Sequence, residues 1–249
     1  MAGHSKWANI KFRKAAQDAK RGKIFTKLIR EITVAARMGG DDLESNPRLR
    51  DAINKALKAN MKRDTIDNAI KRGAVGLEGA NMNEVRYEGY GPSGVAILVD
   101  CLTDNIKRTV AEVRHAFSKH GGNLGTDGSV AYLFSKQGEL LYPPGTDEER
   151  IMEIALECGA QDIQTDEDGS VTVITMPEEF ETVCQALQQQ SLIPDNASVT
   201  LRASNYISVD QNTAETLLKL IDVLEDLDDV QEVYSNASIN DDILTALGG

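Results

Sequence analysis

Apolar residues recur at helical spacing from Gly22 to Met38, where Phe25, Leu28, Ile29, Ile32 and Ala36 share one face at about 100° per residue. Lys23, Lys27, Arg30 and Arg37 fall in a narrow stripe on the opposite face. Asn46 supplies an N-cap and Pro47 a first helical position for a second helix, whose inward residues are Leu49, Ala52, Ile53, Ala56 and Leu57. A third, short helix carries Ile66, Ala69 and Ile70, and Gly73 is placed to end it. Three short amphipathic helices with brief connections predict a small bundle. Residues 74–83 (AVGLEGANMN) read as a linker into a different composition.

Beyond the linker the period alternates between strand and helix. Val85–Tyr90 and Val95–Thr103 are predicted strands, and Asn105–His120 a helix with Ile106, Val110, Val113 and Phe117 inward. The loop GGNLGTDG (121–128) leads to a predicted strand, Ser129–Phe134. A second run follows: strand 139–143, helix 147–158, strands 162–166 and 170–176, helix 178–190, strand 198–203. Its helices repeat one template, Ile151/Ile154/Ala155/Cys158 and Phe180/Val183/Cys184/Leu187, and the whole is a βαββαβ unit of ferredoxin-like type. A further strand (206–209), helix (213–228) and strand (230–235) are placed to complete the sheet begun at 94–134. The expected fold class is therefore α+β multidomain: an N-terminal three-helix basic domain, then two ferredoxin-like α/β domains, the second inserted into the first. The expected boundaries are 1–80, 81–136 plus 205–249, and 137–204.

The longest apolar run, Val95 to Val99, is far short of the roughly 20 residues that a membrane span needs. The opening MAGHSKWANIKFRK has no apolar core of a secretory signal. Cys101, Cys158 and Cys184 sit inside apolar patterns without CxxC spacing, which argues against a disulfide framework or a zinc site and for a reducing cytoplasm.

Charge changes the picture more than composition does. The net charge of −12 hides a division: residues 1–80 hold 18 Lys+Arg and 9 Asp+Glu, whereas residues 81–249 hold 9 and 30. Such asymmetry marks a basic module suited to a polyanion. The acidic remainder is repelled by the same polyanion, which orients the molecule.

No motif announces catalysis. Gly89-Tyr-Gly91-Pro-Ser-Gly94 has GxGxxG spacing but is followed by a strand, VAILVD, so it reads as a hairpin turn and not a dinucleotide site. Asp166-Glu-Asp168-Gly169 lacks the distal Glu of a calcium loop, since Pro177 stands there, and reads as a turn. The run Glu225-Asp226-Leu-Asp228-Asp229 reads as a solvated helix end. The three histidines, His4, His115 and His120, form no nucleophile–base pair. The expectation is a protein that is not an enzyme and needs no cofactor or metal; a small-molecule enzyme has only the glycine motif in its favour.

The binding site is expected in the basic module. Lys6, Lys11, Arg13, Lys14, Lys20, Arg21, Lys23, Lys27 and Arg30 are placed to neutralise phosphates. Trp7 and Phe12, interleaved with them, are placed to stack on unpaired bases or wedge between them. Residues 1–21 bury little on their own and are expected to order on a partner.

The opening MAGHSKWANIK closely resembles the start of the YebC/PmpR family, and the resemblance continues through AAQDAKRGKIFTKLIREI (15–32), YEGYGPSGVAILVDCLTDN (87–105), RTVAEVRHAFSKHGGNLGTDGSVAYLF (108–134) and LEDLDDVQEVYSN (224–236). It implies a three-domain protein of the bacterial cytoplasm with a cavity among its domains, acting as a DNA-binding transcriptional regulator. Relatives resemble translation factors: a mitochondrial member is a translational activator of a cytochrome c oxidase subunit, and bacterial members are linked to stalled ribosomes. Nucleic acid, as DNA or as ribosomal RNA on the ribosome, is therefore the expected partner, with no membrane. The family carries no agreed catalytic residues.

Overall fold

The computed structural model describes residues 21–74 and 82–247, and its architecture is α+β with an N-terminal helical unit. The first unit is α1 (Arg21–Gly39), α2 (Pro47–Lys58) and α3 (Arg63–Ala74). Their apolar stripes meet in one core of Ile32, Ala35, Ala36, Leu49, Ala52, Ile53, Ala56, Met61, Ile66 and Ala69. Asn46 caps α2 as expected: its side-chain oxygen accepts from Leu49 N at 3.1 Å. Its amide also donates to the carbonyls of Ala35 (2.9 Å) and Gly40 (2.8 Å), so one buried side chain closes the α1–α2 turn. Leu57, inward by periodicity, is 44% exposed instead.

Gly73 is the last residue but one of α3. It lies inside the helix, at the crossing with α1, where an added Cβ would collide with the Thr33 carbonyl oxygen and lie 2.8 Å from the Ala36 Cβ. The missing side chain is what lets the two backbones approach.

The second unit is built on β1 (Asn83–Tyr90), β2 (Ala96–Thr103), α4 (Ile106–Lys119) and β3 (Asn123–Leu124), and is completed far along the chain by α7 (Gln211–Glu225) and β9 (Val230–Ser235). The sheet order is β3-β1-β2-β9, with neighbours antiparallel and both helices on one face. Val95, Ile97 and Val99 face Val113, Phe117, Leu217 and Leu220 across that core. The layout is ferredoxin-like, but the chain enters it through a hairpin, β1–β2. At the turn Gly91 N donates to Val95 O at 2.8 Å, and Ser93 and Gly94 have φ of 58° and 76°. The glycine motif is thus a hairpin turn.

The third unit interrupts the second: β4 (Phe134–Tyr142), α5 (Glu148–Glu157), β5 (Asp162–Thr165), β6 (Val171–Thr175), α6 (Phe180–Gln189) and β7 (Asn196–Ala203), with sheet order β5-β6-β4-β7. This is the βαββαβ pattern, with Leu140, Tyr142, Val171, Val173, Ile151, Ala155, Val183 and Leu187 in its core. It meets the second unit where Leu133, Phe134 and Leu201 cover Ala96, Leu98 and Tyr234, on the sheet face away from the helices.

Two expected strands differ. Residues 129–133 form no strand; Ala131–Leu133 is a 3-10 turn and β4 starts at Phe134. The cause is Glu88, only 6% exposed, whose carboxylate accepts from the backbone N–H groups of Gly128 (2.7 Å), Val130 and Ala131 (2.8 Å each) and so removes them from any ladder. Burial would raise the Glu88 pKa, but those three donors outweigh it and hold it below the ordinary glutamate value. β8 (Ile207–Val209) does not join the large sheet. It pairs in parallel with β10 (Ala237–Ile239) as a separate ribbon, ahead of α8 (Asp241–Leu247).

Gly73→Ala should destabilise the helical unit by about 1–3 kcal/mol, the usual range for overpacking. Urea unfolding followed by far-UV circular dichroism checks it; an unchanged midpoint would mean that α1 and α3 do not cross so closely.

Candidate nucleic-acid interface

An α-helix ends with carbonyl oxygens that have no intrahelical donor, and with a partial negative charge. At the end of α7 the Asp222 and Leu224 carbonyls accept from the chain's own Asp226 and Leu227 N–H groups, while the carbonyl of Glu225 and those of residues just past it accept from another domain. Lys23 Nζ donates to the Asp226 carbonyl at 3.1 Å and lies 3.5 Å from its carboxylate. Lys27 Nζ donates to the Glu225 carbonyl at 2.6 Å. Arg30 Nη1 donates to the Asp228 carbonyl at 2.6 Å and to the Asp229 carboxylate at 3.0 Å. Residues 23, 27 and 30 are spaced i, i+4, i+7, so one stripe of α1 caps α7. Burial lowers the Lys27 pKa, while Glu225, Glu232 and Asp226 pull it back up.

Asp229 is the pivot of this contact. It is 2% exposed, and its second carboxylate oxygen accepts from Arg108 Nη2 (2.7 Å), Thr109 Oγ1 (2.8 Å) and Thr103 Oγ1 (3.1 Å). Its carbonyl accepts from Leu102 N at 2.8 Å. One residue therefore ties α1, the start of α4 and the end of β2 together. Burial alone would raise its pKa; the hydrogen bonds from Arg108, Thr109 and Thr103 prevail and hold it below the ordinary aspartate value.

A second clasp lies along the same face. Arg48 of α2 donates to Glu31 of α1, with Nε–Oε1 at 2.6 Å, and also pairs with Glu84 of β1. Between the two clasps is a cavity of about 570 Å³, lined by both charge signs, including Lys27, Glu31, Arg48, Lys55, Arg86, Asp100 and Glu232. Several of its charges are paired: Arg86 makes two hydrogen bonds to Asp100 (2.6 and 2.8 Å), and Lys55 sits 3.1 Å from Asp51. Cys101 also lines it, its thiol pushed up to about 12 by burial.

The basic residues named from sequence now divide. Lys6, Trp7, Lys11, Phe12, Arg13, Lys14 and Lys20 lie outside the described residues, and Arg21 begins α1. Lys23, Lys27 and Arg30 donate to residues 225–229, and Lys23 stays exposed. That also corrects the reading of 225–229 as a solvated helix end, because its carbonyls and Asp229 are engaged. Sequence reasoning passed over Lys58, Lys62, Lys71 and Arg72, which are exposed on the helical unit. The signal was present: the inward set Leu49, Ala52, Ile53 and Ala56 leaves Lys58 outside.

The loop at 121–128 is not a phosphate cradle of free N–H groups. Gly122 N donates to Phe117 O, Gly125 N to Glu88 O and Gly128 N to the Glu88 carboxylate. Asp166–Gly169 is a hairpin turn, with Asp166 N donating to Ser170 O at 2.9 Å. Among the described residues no cluster of three or more His, Cys, Asp or Glu is arranged to hold a metal, and no helix is long and apolar enough to cross a membrane.

Comparison with known proteins covers nearly the whole chain. Residues 5–76 match the model of the TACO1/YebC protein N-terminal domain, and residues 82–237 that of the TACO1/YebC second and third domain. A probable transcriptional regulatory protein of Legionella pneumophila is 65% identical over 247 residues, which is 99% of this chain and 100% of the relative. One from Coxiella burnetii is 64% identical over 244 residues, 98% of this chain and 100% of the relative. The crystal structure of a conserved hypothetical protein from Aquifex aeolicus superimposes with a TM-score of 0.77 at 48% identity, covering 89% of this chain and 92% of that one.

Asp229→Ala should destabilise the molecule by about 1–3 kcal/mol, the cost of leaving buried donors unpaired, with amide exchange accelerating first in α1 and at the start of α4. The stability that Asp229 contributes should be complete above the ordinary aspartate pKa of about 4 and be lost as pH falls through its depressed folded value. A parent and a variant that lose stability in parallel on acidification would contradict this role.

Proposed function

The chain belongs to the TACO1/YebC family, whose curated relatives are named probable transcriptional regulatory proteins, and from that premise we propose that it is a non-enzymatic, nucleic-acid-binding regulator of gene expression whose target is DNA and whose output is transcription. The observation that carries this reading is the division of charge. The first 80 residues hold two-thirds of the Lys and Arg, 18 of 27, and the rest of the chain is strongly acidic. A basic module of this kind binds phosphate by releasing counterions, and the acidic remainder keeps the other domains off the polymer.

In this reading Lys6, Lys11, Arg13, Lys14, Lys20 and Arg21 neutralise phosphates, Trp7 and Phe12 stack or wedge, and the exposed Lys58, Lys62, Lys71 and Arg72 extend the surface. Lys23, Lys27 and Arg30 already serve the α1–α7 contact, so a polyanion competes with the end of α7 for the same three cations. Such competition couples binding to the position of the helical unit.

A second reading, binding to ribosomal RNA as a translation factor, has one observation in its favour. The basic stripe of α1 is packed against residues 225–229 and is not presented as a helix for the DNA major groove. Recognition through backbone and unpaired bases suits structured RNA.

Replacing Lys11, Arg13 and Lys14 together by Ala should weaken binding to all sequences alike and lower the slope of log K against log[salt] by about 2–3. Titration of labelled DNA and RNA at several salt concentrations checks this, and an unchanged slope would place the contact elsewhere. Fractionating a lysate with and without DNase separates the readings. Co-migration with ribosomal particles that survives DNase favours RNA; retention on one promoter fragment against excess competitor favours DNA.

A further inference from the structure

Residues 81–249 carry 30 Asp+Glu and only 9 Lys+Arg. Four of those nine, Lys107, Arg108, Arg114 and Lys119, lie on α4, a helix of 14 residues whose single acidic residue is Glu112. A cationic helix in so acidic a surround calls for a cause.

Periodicity concentrates the charge further. The buried side of α4 is Thr109, Val113, Ala116 and Phe117. At about 100° per residue the opposite side has Ala111 and Ser118 at its crest, flanked by Lys107 and Arg114 on one side and by Arg108, His115 and Lys119 on the other. All five of these flanking residues are exposed. Lys107, Arg114 and Lys119 have no ion-pair partner among the described residues. Lys107 and Arg114 are aligned about 10 Å apart, and the patch runs about 18 Å along the helix.

Helix stability does not account for it. Cations in a first turn oppose the helix dipole, yet Lys107 and Arg108 stand there with no acidic residue beside them in that turn. By contrast α5 begins with Glu148 and Glu149, and α8 with Asp241 and Asp242. Arg108 is used internally, pairing with Asp104 at 2.9 Å and Asp229 at 2.7 Å. The other three are not. The same Asp229 carboxylate holds Arg30 of α1, so the Arg108 end of α4 adjoins the basic helical unit.

We propose that the outward face of α4, through Lys107, Arg114 and Lys119, is a second phosphate-binding surface that grips the backbone of the nucleic acid bound by the N-terminal module. The inference rests on the proposed function and adds to it. The acidic domains then do more than stay clear of the polymer: one of them touches it through a single cationic helix, and the polymer spans the junction at Asp229. The small residues Ala111 and Ser118 leave the crest low enough for a backbone to lie between the flanking cations. A carboxylate-rich protein segment is the rival occupant.

The test uses the full chain and fluorescence anisotropy with one sequence prepared as duplex DNA and as hairpin RNA. The triple variant Lys107→Gln, Arg114→Gln, Lys119→Gln should lower the salt slope by about 2–3 while leaving the thermal midpoint unchanged, because the three side chains are exposed. Glu112→Gln should tighten binding, which a fold defect would not do. The polymer showing the larger loss identifies the one that lies on α4. An unchanged slope on both polymers overturns the inference and leaves the face to an acidic protein partner. If the Lys11, Arg13 and Lys14 replacements lower the slope while the α4 variant does not, only the α4 surface fails. A parent chain with no salt-dependent binding removes both proposals.

Discussion

The end of helix α7 is where two domains are fastened: local N–H groups take the Asp222 and Leu224 carbonyls, and the carbonyls of Glu225, Asp226 and Asp228 accept from a different domain. Lys23, Lys27 and Arg30 of α1 supply the cations, and Asp229 locks the arrangement from beneath. These contacts hold the helical unit against the end of a helix almost two hundred residues further along the chain. Arg48, reaching Glu31 and Glu84, adds a second fixed point, and the cavity between the clasps results from two domains that touch at their rims.

Two buried carboxylates do comparable structural work at opposite ends of the second unit. Asp229 gathers hydroxyl and guanidinium donors where β2 turns into α4. Glu88 gathers three backbone N–H groups where the chain leaves for the inserted domain. Both are held ionised by their donors against the effect of burial. Their donors place both at the junctions where the three units join.

The charge division then acquires a direction. The basic helical unit, the Asp229 junction and the Arg108 end of α4 adjoin one another, whereas the inserted domain has few cations of its own, Lys136, Arg150 and Arg202, the last of them paired with Glu139 at 2.9 Å. Under the proposed function, a phosphate polymer meets attraction along that side of the molecule and repulsion elsewhere. The cations of α1 serve the end of α7, and under the proposed function a polymer competes for them, which would link binding to domain position without a separate switch.

Much of this was legible from residue order alone. The inward residues of α1 and α2, the Asn46 cap and the βαββαβ unit follow from local periodicity and capping, because side-chain spacing is dictated by backbone geometry. The charge division is likewise a property of the chain, and so is the rejection of GxGxxG at 89–94, where the following strand excludes a helix dipole. Tertiary structure alone decided what each exposed group faces. Periodicity shows that Lys23, Lys27 and Arg30 point away from their own core, and it cannot show that a second domain waits there. It places Gly73 near a helix end, and only the crossing with Thr33 and Ala36 reveals why a side chain is missing. It marks 129–133 as strand-like, and only Glu88, some forty residues earlier, removes the donors that a strand would need. Local pattern is set by interactions a few residues apart, whereas the partners of a lone charge or an unpaired N–H are chosen by the whole fold.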